Sequence, residues 1–207
     1  NVHDPRSGEI LESHIGWYHN IMSLLRNWYL IQTAAVDPAA RSKKFDDKLM
    51  GELIRFVSSH EVGHTLGLRH NMGASSATPV EKLRDAAYQA KNGHTSSIMD
   101  YARFNYVAQP EDNVTTLFPR IGDYDKWAIK WGYSYFEDTK NEAQEKALLN
   151  EMTKEAYKNN RLWFGSETSP YDPRYQTEDI GDNAMRASEY GIKNLKRILP
   201  NLLEWTK

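Results

Sequence analysis

No cysteine occurs in the 207 residues. Disulfides are excluded, and so is every thiolate zinc site, including most structural ones. The compartment stays open, because envelope proteins also do without disulfides. An excess of charge is lacking too. Lys plus Arg number 26 and Asp plus Glu 28, for a formal net charge of −2. That balance carries no electrostatic footprint for nucleic acid. No apolar run is long enough to span a membrane, and no signal peptide opens the chain. The first residue is Asn1 rather than Met. The chain is therefore expected to be a piece of a longer polypeptide, with any targeting signal upstream. Internal repeats are absent as well.

What is present suits one domain of ordinary size, or one with an appendage. Apolar residues make up 40%, and aromatics at 12% can fill a core. Strand signal is scarce. "EILESHI", residues 9–15, follows the turn signals Asp4-Pro5 and Ser7-Gly8 and is the one convincing strand. A lone strand cannot satisfy its own backbone, so its partners are expected upstream or from another chain.

The rest reads as helix and loop. Trp17, Ile21, Leu24, Leu25, Trp28 and Ile31 recur at helical spacing, and Asp37-Pro38 stops that helix. A second helix is predicted from Asp46 or Asp47, through Leu49, Leu53, Phe56 and Val57, to His60 and His64. Residues 71–79 read as loop, and "PVEKLRDAAYQA" as one short helix with Pro79 near its start. Residues 91–122 lack a period. "YDKWAIKWG" is a helix opened by Asp123 or Asp125 and ended by Gly132. "NEAQEKALLNEMTKEAYKNN" reads as a charged helix with a solvated face. Residues 165–183 read as loop. A last helix from Ala184 is expected to break near Gly191 and Pro200.

The chemistry concentrates in "SSHEVGHTLGLRHNM", residues 58–72. His60 and His64 are four apart on a helix, so their side chains share one face and can grip one ion. Glu61 falls beside that ion rather than on it, the place of a general base for water. Gly67 can take the left-handed conformation without steric penalty, which ends the helix and lets the chain return His70 as a third ligand. Three histidines leave one tetrahedral position for water, the mark of catalytic rather than structural zinc. A structural site would have no use for Glu61, a charge costly to bury without work to do. Satisfied core histidines would need neither the glycine nor the glutamate.

These residues carry a family resemblance. "HEVGHTLGLRH" resembles the extended zinc motif of the metzincin metallopeptidases. "SIMDY", residues 97–101, resembles the methionine turn of that clan. The resemblance implies that Met99 forms an apolar floor beneath His60, His64 and His70, which hold one Zn2+. It implies that Tyr101 binds zinc or steadies an oxyanion, although a tyrosine that merely packs fits equally well. Asn71 departs from the residue usual after the third histidine. "DPRSGEIL" and the tail from Asp179 extend the resemblance to large, poorly characterised bacterial zinc-dependent metalloproteases, over nearly the whole chain.

The implied fold class is α+β. It is a zincin-like catalytic domain, predominantly helical here, with an edge strand near the N-terminus and partner strands upstream of Asn1. Residues 1–135 are the expected catalytic region and 136–207 a helical C-terminal extension packed on it. The expected function is a zinc endopeptidase with Glu61 as its base. Its partners would be a peptide or protein substrate and the upstream region of the parent chain. Its place would be extracellular, periplasmic or at the cell surface. Arg103, Phe104 and Tyr106 either wall a substrate pocket or pack. His3, His14, His19 and His94 lack ligand spacing. Two other readings stand: a zinc-holding but inactive substrate-binding module, and a hydrolase of non-peptide amides.

Overall fold

The computed structural model describes residues 1–166 and 171–207; the expected loop at 165–183 therefore lies partly outside the described residues. Among these residues the fold is helix-rich with one small sheet. Strands β1 (Val2–His3) and β2 (Ile10–Glu12) pair antiparallel across a turn in which Gly8 takes φ +77°. The strand read as lacking a partner in its own chain thus has one, two residues long and too short to show a period. Its other edge carries no strand among the described residues. The hairpin docks on the end of the second helix. Asn1 Nδ2 donates to His64 O at 2.9 Å, and Ser13 Oγ donates to Asn1 Oδ1 at 2.7 Å.

Helix α1 (Ile21–Thr33) begins later than the spacing of Trp17 predicts. Tyr18 to Asn20 form a turn on the surface instead, and Tyr18 is exposed. Asp37 ends this stretch by accepting from Ala39 N, with Pro38 next in line. Helix α2 (Asp47–Thr65) starts where Asp46 accepts from Leu49 N at 2.7 Å, an ordinary side-chain cap. Leu53 and Phe56 of α2 join Leu25, Tyr29 and Leu30 of α1 in the main core. Tyr29 stacks on Phe118 and meets Phe45 and Phe104 edge-on. Phe104 is completely buried there, so it is a core residue and not a pocket wall.

The single helix expected at residues 79–90 is split. A 3-10 turn (Val80–Leu83) precedes α3 (Ala86–Asn92), because Asp85 turns extended to cap α3 at Tyr88 N. Residues 93–122 are irregular apart from one turn at Pro110–Asp112. They wall the centre of the molecule, and His94 within them is fully buried. Helices α4 (Asp123–Tyr133) and α5 (Glu142–Ala156) follow; α5 is mostly exposed, as its charge pattern predicts. Helix α6 (Ala184–Ile198) runs unbroken through Gly191. Glycine is used there for proximity: a Cβ would meet the Tyr106 ring at 3.0 Å. Pro200 does end the regular helix, in a 3-10 turn before α7 (Leu202–Trp205). Helix α6 packs on α1 and gives Ile198 to the main core. Among the described residues no helix is long and apolar enough to cross a membrane.

Candidate metal centre

The last turn of α2 presents His60 and His64 on one face. The turn closes in two bonds: Gly67 N donates to His64 O and Leu68 N to Gly63 O, each at 3.0 Å. This six-to-one and five-to-two pattern needs a left-handed residue between, and Gly67 supplies it at φ +88°. The chain reverses there and brings His70 back. The side-chain nitrogens of His60, His64 and His70 lie within 4.8 Å of one another. His64 Nε2 stands 3.1 Å from His70 Nε2. Two nitrogens bound tetrahedrally to zinc at about 2.0–2.1 Å would stand about 3.3 Å apart, close to what the two rings already adopt.

The tautomers fit as well. His60 Nδ1 lies 2.8 Å from Ile98 O, and His64 Nδ1 lies 2.9 Å from Leu68 O. A carbonyl can only accept, so each Nδ1 carries the proton and each Nε2 keeps a lone pair for a cation. Burial holds the His60 ring neutral, with its pKa down to about 4, against the pull of the Ile98 carbonyl. Ring, tautomer and charge state therefore all suit a metal ligand.

Met99 is completely buried, with its sulfur against Gly63 of α2. The turn around it supports the histidines through its backbone more than through sulfur. Ile98 O holds the His60 ring, and Met99 O accepts from Asn71 N at 3.1 Å, directly after the third histidine. Asp125 anchors the turn from below. Its carboxylate accepts from Ser97 Oγ at 2.6 Å and from Ile98 N and Gly122 N at 2.7 Å each. The sequence offered Asp125 only as a helix start; it serves the helix and the turn together. Asp125→Ala would strand three donors in a site where Asp125 itself is 3% exposed. The expected loss is about 3 kcal/mol of unfolding free energy with weakened zinc binding, read by denaturant titration and metal competition.

Gly63 is another residue that sequence reasoning missed. A Cβ there would stand 2.3 Å from Met99 Sδ. The available signal was a glycine inside a helix, which costs about 1 kcal/mol relative to alanine and so asks for a packing reason.

Glu61 is half-buried and lines a cleft of about 480 Å³ with His64, Gly67 and Arg69. His3 of β1 and His14, two residues beyond β2, line the same cleft but are not part of the histidine cluster. The Tyr101 ring sits beside the cluster, 4.5 Å from the His70 ring and 5.5 Å from the His60 ring between centroids. Asn71, the departure from the usual pattern, is completely buried. Its Nδ2 donates to Trp163 O and its Oδ1 accepts from Gly165 N, both at 2.9 Å.

No curated protein and no solved structure matches the chain. Residues 42–207 match a family model described as Met-zincin. That match takes in the histidine motif and the methionine turn and continues through the last helix, and the chain accordingly belongs to the Met-zincin family.

Proposed function

We propose that the chain is a zinc-dependent endopeptidase. The observation that carries this reading is the convergence of three imidazoles, two with tautomers set for a cation, next to a cleft lined by Glu61. His60, His64 and His70 would hold the ion. Zinc, when bound, supplies a Lewis acid that polarises a carbonyl and brings the pKa of water to about 7. Glu61 takes the proton of the attacking water and later returns it to the leaving amine. Tyr101 donates its hydroxyl to the oxygen that gains charge, while Met99 and Gly67 keep the histidines in place. An extended peptide pairs along β2 by its main chain. Residues 1–135 form the catalytic region and 136–207 a helical extension; the packing of α6 on α1 supports a close union of the two.

A mixed peptide library tests the proposal. The zinc-loaded chain is expected to cleave it, a chelator to stop the cleavage, and added zinc to restore it. Elemental analysis of the same sample separates the alternatives. Bound zinc with every peptide intact would overturn the endopeptidase and favour a binding module, a reading to which the brevity of the sheet lends weight.

A further inference from the structure

Three non-glycine residues have positive φ among those described: Arg103 at +52°, Asn113 at +55° and Glu178 at +70°. Asparagine enters this region readily; arginine and glutamate do so at a cost of about 1 kcal/mol or more. Arg103 and Glu178 are also each other's partners. Arg103 Nε donates to Glu178 Oε2 at 2.8 Å and Nη2 donates to Oε1 at 2.6 Å. Two strained backbones facing one another across a forked ion pair ask for a reason, and strain of this kind gathers at functional sites.

The guanidinium shows what the strain achieves. Its Cζ lies over two rings, 4.2 Å from the centroid of Tyr101 and 4.3 Å from that of Trp28. Glu178 N donates to Tyr101 O at 3.0 Å, so the same pair also holds the tyrosine backbone. The strained turn is fixed from behind. His94 Nε2 meets Arg103 O at 3.2 Å, and Phe104 N donates to Gln32 Oε1 at 3.0 Å. The Arg103 side chain is 14% exposed. A fork that pairs in two bonds while its carbon lies over aromatic rings is a task for arginine that lysine cannot perform.

We infer that Arg103 and Glu178 form a positioning brace that fixes the Tyr101 ring beside His60 and His70. The brace rests on the endopeptidase reading for its purpose and on the geometry alone for its existence. Arg103 acts through Tyr101 and touches no reacting atom. It also ties the segment ahead of α6 to the methionine turn, so residues far along the chain govern the pose of Tyr101.

Two measurements test it. The first is a double-mutant cycle on peptide cleavage. Arg103→Ala is expected to lower kcat roughly 100-fold, the scale of a misplaced catalytic group, with KM nearly unchanged. Arg103→Lys should behave alike. In a Tyr101→Phe background, Arg103→Ala should cause no further loss. Equal losses in both backgrounds would overturn the inference, since a merely structural arginine is indifferent to the tyrosine hydroxyl. The second measurement needs no activity. In protein carrying carbon-13 tyrosine rings, Tyr101→Phe assigns the Tyr101 signal. Arg103→Ala and Glu178→Gln should move that signal toward the averaged position while other tyrosines stay. An unmoved Tyr101 signal in both variants would overturn the brace. An inactive parent chain whose Tyr101 signal responds as stated would instead count against the endopeptidase and for the brace.

Discussion

Glu61→Gln abolishes most peptide cleavage and leaves the zinc content unchanged: that is the expected result, with kcat/KM falling roughly 10²–10⁴-fold. Glutamine keeps the size, the helix propensity and the place of Glu61 in the cleft, and removes only its ability to take a proton. The convergent nitrogens belong to His60, His64 and His70, without Glu61. Metal affinity therefore should not depend on the carboxylate. Elemental analysis and steady-state kinetics on one preparation read both halves. Full activity in the zinc-loaded variant would remove Glu61 from the mechanism. Loss of zinc would make the carboxylate a ligand.

Gly63→Ala sets two effects of known size against each other. Alanine favours the interior of α2 by about 1 kcal/mol over glycine. Its methyl would also stand 2.3 Å from Met99 Sδ and 3.3 Å from Met99 Cε. Met99 can yield only by shifting its side chain within the core, since its backbone is held. It is completely buried, its N–H is bonded to Ser97 Oγ at 3.0 Å, and its carbonyl accepts from Asn71 N. Overpacking of this kind costs about 1–3 kcal/mol, so the clash should win. A lower Tm and weaker zinc binding are expected, and Met99→Ala in the same chain should relieve part of the strain. A raised Tm with unchanged zinc affinity would mean that helix propensity wins and the floor is soft.

The features legible in the sequence are those governed by neighbours along the chain. The Asp46 cap, the four-residue histidine spacing and the left-handed Gly67 follow local rules, and the structure places each within a residue of its expected position. The unread features have causes elsewhere. Gly63 is explained by Met99, 36 positions later. Asp125 looked like a helix cap because its bonds to Ser97 and Ile98 leave no local trace. Arg103 and Glu178 are 75 positions apart, and neither has a spacing to announce the other. His94 read as a loop histidine, and it is in a loop. That loop forms an inner wall, where burial takes the pKa of its ring down to about 4.

Asn71 carries a consequence for the order of assembly. Its side-chain bonds span 92 and 94 positions, to Trp163 and Gly165. Closing so long a loop is an entropic step that local helix formation does not require. Helix α2 can wind and offer His60 and His64 early. The segment directly after His70 must wait, its buried amide unsatisfied, until the chain through residue 165 has been made and has folded back. In synthesis from the N-terminus, the residues of the motif exist long before the support that sets the third one. The candidate metal centre is thus encoded ahead of its support and finished late in folding.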